Sequence, residues 1–314
     1  LSNITFQKKA LQIYAYQSLQ NMVYKEWSRL VFQQHQPHHI TEIPFLPVSF
    51  FKTHTVQSTP GTKPTIFESS GTTGTNTSRH FVPDIDLYEQ SFTKGFEFFY
   101  GKPQKWNLLC LLPSYLERNN SSLVYMADVL MRLSGNDFNG FFLDDFEQLN
   151  EKILQQEQLR LPTLLLGVSF ALLDFSEQYP QTLAHTIVME TGGMKGRKKE
   201  MIRAELHDIL CTNFGVKSIH SEYGMTELLS QAYSTGNGLY RCPPWMQVLV
   251  RNEDDPKQIS LVGKGLINII DLANFDSCSF IATDDAGIVY EDGSFEILGR
   301  SDNSDIRGCS LLTL

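Results

Sequence analysis

The feature that most constrains this chain is a rhythm beginning near Trp106, in which short runs of consecutive apolar residues alternate with helix-length segments. The runs at 107–112, 140–143, 163–168, 186–189 and 217–220 read as strands, and 122–133, 145–158, 170–178 and 198–210 read as helices. A strand apolar at successive positions offers no polar face to water, so both of its faces must be covered. Repeated βα of this kind implies an α/β fold, with a mostly parallel sheet and helices on both faces. After Gly224 the pattern changes. Segments 246–251, 260–262, 266–271 and 295–298 read as strands punctuated by Gly and Asp, with little helix between them. The expectation is an α/β body over 1–230 and a β-rich subdomain over 231–314. Residues 6–31 place Ile13, Tyr16, Met22, Val23, Trp27 and Leu30 near helical spacing, an amphipathic region suited to packing on that body.

Composition narrows the function. Lys and Arg total 26 against 35 Asp and Glu, a formal charge of -9, which excludes a general electrostatic grip on nucleic acid or on an anionic membrane. Any phosphate site must therefore be local. The apolar runs fall far short of the ~20 residues of a spanning helix, and the start has no signal-peptide pattern, so a cytoplasmic location is expected. The five cysteines, Cys110, Cys211, Cys242, Cys278 and Cys309, are odd in number and never paired as CxxC. They suggest free thiols, with neither a disulfide framework nor a thiolate zinc site. His35, His38 and His39 cluster, but no further ligand at fixed spacing supports a metal there.

Five segments carry residues suited to chemistry. Ser69-Ser70-Gly71-Thr72-Thr73-Gly74 follows a short apolar run and is built like a phosphate cradle, since glycines let backbone N–H groups approach an anion and hydroxyls add donors. The P-loop lysine is missing, and the same residue types also make ordinary turns. Glu190-Thr191-Gly192-Gly193-Met194-Lys195 and Ser221-Glu222-Tyr223-Gly224-Met225-Thr226-Glu227 lie at strand ends, where open α/β sheets place ligand crevices; each is equally explicable as a strand-to-loop turn. Thr283-Asp284-Asp285 and Gly299-Arg300-Ser301-Asp302, taken singly, read as polar turns.

In this order the five segments resemble the adenylate-forming superfamily of acyl- and aryl-CoA ligases, from about Ile43 onward. Within it, Ile43–Val48, the 69–74 loop and Asp305-Ile306-Arg307-Gly308-Cys309 are most similar to the acyl-protein synthetase branch of bacterial bioluminescence, with phenylacetate-CoA-ligase-like enzymes near by motif style. The resemblance implies the large N-terminal-type domain of these enzymes, and the cofactors ATP and Mg²⁺, with CoA as an optional third. It implies that Ser69, Ser70, Gly71, Thr72, Thr73 and Gly74 hold the β- and γ-phosphates, that Gly192 and Gly193 line the adenine, and that Tyr223 and Gly224 pack on it. Thr226 would bind the α-phosphate, Glu227 would orient Mg²⁺, Asp285 would accept from the ribose hydroxyls, and Arg300 would lie beside ribose and phosphates. Only a short tail follows Asp302, so the mobile C-terminal domain of the superfamily, with its lysine, is expected to be absent. Arg79, Lys195, Arg300 and Arg307 are the cations that could replace that lysine. By the same resemblance Cys309 would carry an acyl thioester; by its residue type it could equally be a small buried side chain. The expected partners are a small carboxylic acid and a thiol acceptor: Cys309 itself, CoA, or a carrier or reductase protein. The residues around 113–115, 120–122 and 138–143 are candidates for the acyl pocket.

Overall fold

A computed structural model describes residues 3–32, 36–59, 63–69, 77–113, 120–192 and 201–300. In chain order the elements are α1 (Asn3–Gln20), α2 (Met22–Phe32), β1 (Leu46–Pro47), α3 (Phe50–Thr53), β2 (Thr65–Glu68), β3 (Arg79–Val82), α4 (Ile85–Tyr100), β4 (Asn107–Leu111), α5 (Ser122–Ser134) and β5 (Gly140–Phe141). They continue with α6 (Phe146–Leu159), β6 (Thr163–Val168), α7 (Ser169–Gln178), β7 (Thr186–Thr191), α8 (Arg203–Phe214), β8 (His220–Tyr223), β9 (Ala232–Ser234) and β10 (Tyr240–Arg241). The last five strands are β11 (Met246–Arg251), β12 (Ile259–Ser260), β13 (Gly263–Asp271), β14 (Phe280–Val289) and β15 (Phe295–Arg300).

These elements group into two compact units that interleave along the sequence, where the sequence reading placed one boundary at residue 230. The first comprises 1–91, 226–230 and 241–314; the second comprises 92–225 and 231–240.

The second unit is the α/β body. Its strands run in the order β9-β8-β7-β6-β4-β5, all parallel except the β8/β9 pair. The apolar runs have the two-sided burial expected of them. Leu109, Leu111 and Leu165 pack into a cluster with α6, α7 and α8, while the alternating Leu108, Cys110, Leu164 and Leu166 face Met126 and Leu130 of α5. Capping is equally local: Ser121 and Asp145 accept from the first turns of α5 and α6, and Gly135 and Gly215 end α5 and α8 in the left-handed region.

The first unit is largely antiparallel, in the order β12-β11-β13-β14-β15, with β1 added in parallel to β14 and a separate β2/β3 hairpin. Two details differ from the sequence reading. Thr283-Asp284-Asp285 lies inside the ten-residue strand β14. Alternating exposure along that strand (Ala282 buried, Asp284 exposed, Asp285 buried) lets polar residues sit in a sheet without breaking it. The N-terminal helix is two helices that meet at Asn21, whose side chain accepts from Tyr24 N–H at 3.0 Å and donates to Ser277 O at 3.0 Å. Asn21 thus caps α2 and ties it to the C-terminal strands. Of the clustered histidines, His39 accepts from Thr41 N–H as the N-cap of the turn Ile40–Glu42, a structural role. No group of three metal-ligating side chains occurs among the described residues.

Candidate active site

In the first unit, residues far apart in sequence converge on Glu227. The β2/β3 hairpin pairs Glu68 with Arg79, and just beyond it Ser69 N–H donates to Ser78 O at 3.0 Å while Ser78 N–H donates to the Ser69 hydroxyl at 3.0 Å. Ser69 and Ser78 are thereby locked together as the two ends of the expected phosphate segment. Ser70, Gly71, Thr72, Thr73 and Gly74 lie outside the described residues, as do Gly193, Lys195, Arg307 and Cys309.

The segment Thr226–Ser230 is held from three sides. His80 on β3, fully buried, donates from Nδ1 to Thr226 O at 2.8 Å, and its ring meets Phe51 edge-on at 5.5 Å. That donor assignment leaves Nε2 as the unprotonated nitrogen, with no hydrogen-bond partner, and burial pushes the His80 pKa down to about 4. Asn274 donates to Glu227 O at 2.7 Å. Asp271, at the end of β13 and fully buried, accepts from Leu229 N–H and Ser230 N–H at 2.9 Å, from the Ser230 hydroxyl at 2.6 Å and from Ala273 N–H at 3.0 Å. Burial raises the Asp271 pKa, and these donors oppose the rise.

The Glu227 carboxyl is itself buried. Burial pushes it above its ordinary value; hydrogen bonds from the Ser78 hydroxyl and its own N–H, and the charges of Arg300 and Lys52, pull the other way. Asp285 on β14 stands opposite Arg300 on β15, and Arg300 Nε donates to Asp285 Oδ1 at 3.1 Å. Thr283, first residue of the same motif, donates its hydroxyl to Ile267 O at 2.9 Å and accepts from Asp285 N–H at 3.2 Å, fixing the aspartate's backbone. Glu227, Asp285 and Arg300 are thus brought together with the ends of the phosphate segment, while Arg79 is exposed, its guanidinium 5.9 Å from the Phe81 ring.

The second unit carries the other motifs at the ends of β7 and β8. Tyr223 is the last residue of β8, nearly buried, its ring 5.8 Å from Tyr240 at 61°. Gly192 adopts φ +71°, and its carbonyl accepts from the Ser169 hydroxyl at 3.1 Å. Gly224 is required by packing, because a Cβ there would run into the Glu222 carboxyl and approach Gln231 Cγ at 3.3 Å. Two buried carboxyls lie beneath these motifs. Burial pushes Glu190 up, but His207 at 3.6 Å, Arg203 Nε at 3.1 Å and Ser221 more than offset it and hold Glu190 below its ordinary value. Glu222 accepts from the Thr191 hydroxyl at 2.5 Å, yet burial, with the Glu190 charge adding to it, raises its pKa to about 7. Beside Glu222 a small cavity of about 10 Å³, room for roughly one water, lies between Cys110, Leu166 and Met189 of the sheet and Met126 and Leu130 of α5.

Sequence reading missed Lys52, His80 and Asp271, and gave Glu222 no role within the 221–227 stretch. Only Asp271 left a signal, a carboxylate closing an otherwise apolar strand; the roles of the others come from residues distant in the chain or across the sheet.

No family model matches the chain. The long-chain-fatty-acid–luciferin-component ligase of Aliivibrio fischeri is 23% identical over 303 residues, covering 87% of this chain and 78% of that protein. Among solved structures, 2-hydroxyisobutyryl-CoA ligase in an open conformation with 2-HIB-AMP and CoA matches with TM-score 0.64 and 10% identity, over 96% of this chain and 75% of its own. ATP-bound MatB from Rhodopseudomonas palustris matches with TM-score 0.55 and 20% identity over 75% of this chain; the match spans 47% of MatB, about half its length. The fold is that of the large domain of these adenylate-forming ligases. In sequence the chain is similar to the long-chain-fatty-acid–luciferin-component ligases of Aliivibrio fischeri and Vibrio harveyi, at 23% identity to each.

Proposed function

We propose that this chain activates a carboxylic acid with ATP as the acyl-adenylate and hands the acyl group to a thiol. The observation that carries the reading is the convergence on Glu227: Ser78 and Arg300, about two hundred residues apart, both act on this one buried carboxyl, and Arg300 is held in turn by Asp285. In this reading a carboxylate oxygen attacks the α-phosphorus, the bond from that phosphorus to the bridging oxygen breaks, and pyrophosphate leaves. Thr226 and the 69–78 segment orient the phosphates, Asp285 accepts from the ribose hydroxyls, and Tyr223 with Gly192 packs the adenine.

Mg²⁺ suits Glu227, because that ion commonly binds through one or two carboxylates plus substrate phosphates. Glu227 is a lone oxygen donor of this type, and the bound ion would neutralise phosphate charge. The acid is proposed to be fatty, by likeness to the long-chain-fatty-acid ligases that the chain matches at 23% identity.

For the second half-reaction a thiolate attacks the acyl carbonyl and AMP leaves. Burial pushes the thiols of Cys110, Cys211, Cys242 and Cys278 above their ordinary value, Cys278 to about 12, so none of the four is a ready thiolate. The acceptor is therefore Cys309, CoA or a carrier or reductase protein. The test is intact-protein mass spectrometry after incubation with Mg-ATP and a panel of fatty and aryl acids, run beside pyrophosphate–ATP exchange. An ATP-dependent adduct lost in Cys309→Ser supports self-acylation. Exchange without an adduct moves the acceptor to CoA or a carrier, and absence of exchange with every acid sinks adenylation.

A further inference from the structure

Attack of one anion on another needs positive charge at the point where they meet. Among the described residues, two cations act on the Glu227 carboxyl, Arg300 and Lys52. They differ in what they are doing. Arg300 is held by Asp285, Nε to Oδ1 at 3.1 Å, in cross-strand register. Lys52 is exposed, and while its backbone N–H donates to Ser49 O at 3.0 Å, its side chain forms no hydrogen bond or ion pair among the described residues.

Its position is fixed by its neighbours. Lys52 sits on the single turn α3, which packs on β3. The preceding residue, Phe51, is fully buried with its ring edge-on to His80 at 5.5 Å, and His80 holds Thr226 O at 2.8 Å. Phe51 therefore pins α3 to the same histidine that pins the Thr226–Glu227 segment. Lys52 is the next residue on this anchored turn, and its exposed ammonium has no side-chain partner among the described residues, the condition for a charge that engages only when a substrate arrives.

We propose that Lys52 is a substrate-binding cation of this site, its ammonium meeting the phosphate oxygens of the nucleotide and the charge that builds as the acid's carboxylate attacks. This rests on the adenylation reading. The new bond is carboxylate oxygen to α-phosphorus, and the electron pair of the broken bond leaves with pyrophosphate.

The experiment compares the parent chain with Lys52→Gln and Lys52→Arg in two assays, Mg-ATP binding by isothermal titration and pyrophosphate–ATP exchange. Lys52→Gln is expected to weaken Mg-ATP binding at least about threefold and to lower exchange kcat at least about tenfold, with its thermal midpoint unchanged because the side chain is exposed. Lys52→Arg should recover most of the binding, since it keeps the charge. If the parent exchanges and binds but Lys52→Gln matches it in both assays, Lys52 is overturned and adenylation stands. If the parent does not exchange yet its Mg-ATP affinity falls in Lys52→Gln, adenylation fails and the phosphate contact survives. A parent that binds no nucleotide overturns both.

Discussion

The two units bury carboxyls by opposite means. In the first, Asp271 and Glu227 are surrounded by donors and cations, most of them distant in the chain: four hydrogen bonds on Asp271, and Ser78, Arg300 and Lys52 around Glu227. In the second, Glu190 and Glu222 lie at the ends of adjacent parallel strands and divide the local resources unequally. Glu190 takes Arg203 and is held ionised, while Glu222 keeps a single hydroxyl donor and titrates near neutrality. A buried carboxyl thus behaves as a fixed anchor or as a proton-holding group according to how many donors the topology delivers.

The contrast breaks most decisively at Asp271. Asp271→Ala strands four donors in a buried site, and hydrogen bonds to a charged group contribute about 1.5–3 kcal/mol each. With ordinary domain stability at about 5–15 kcal/mol, the variant should lose at least about 4 kcal/mol in urea denaturation; a loss under about 1 kcal/mol would show that the Leu229–Ser230 segment does not depend on it.

The next largest effect is a pH dependence of opposite sign in the two units. Glu222 has a folded pKa of about 7 against an ordinary 4.5, so the folded state binds more protons and stability from this group falls as pH rises from about 4.5 to 7. Glu222→Gln should therefore gain on the parent across that window, by up to about 3 kcal/mol. A pH-independent difference between the two proteins would rule this out. His80 runs the other way. Its folded pKa of about 4 lies below the ordinary 6.5, so its contribution is complete above pH 6.5 and is lost as pH falls toward 4. In Glu222→Gln this second slope should emerge, giving a steeper loss of stability on acidification than in the parent. His80→Gln, read the same way, should flatten it at a cost of about 2 kcal/mol at pH 7.

The smallest effect sharpens the packing side. Gly224→Ala should cost about 1–3 kcal/mol because the new methyl meets the Glu222 carboxyl. In a Glu222→Ala background the penalty should shrink, a coupling measurable by a double-mutant cycle; equal penalties in both backgrounds would place the conflict elsewhere.

The parts legible in the sequence are those whose signal is local. β4 and β6 could be read because every position along them is buried on one face or the other. β14 could not, because Asp284 and Asp285 mark a turn by composition, and only pairing with β13 and β15 makes their stretch a strand. The Glu227 and Asp285 motifs were legible as patterns of residue type, whereas Lys52 and His80 carry no pattern at all. His80 matters through a carbonyl 146 residues away, and Lys52 through the ring of its neighbour against that histidine. Side chains that position a motif are invisible to any reading that looks only along the chain.

The stitching of the N-terminal helices to the last strands also sets an order of events during synthesis. Gln17 donates to Asn274 O and Phe275 O and accepts from Ser279 N–H, and β1 pairs with β14. The second unit has all its strands once residue 240 has left the ribosome, but residues 3–59 must wait for the partners beyond 270. At about 5–20 residues per second, the exposed apolar side chains of α1 and α2 stand without their partners for roughly 10–50 s. Helices made before the second unit thus belong to the unit that is finished after it, so the nascent chain carries its anchoring helices as an open surface until β14 arrives.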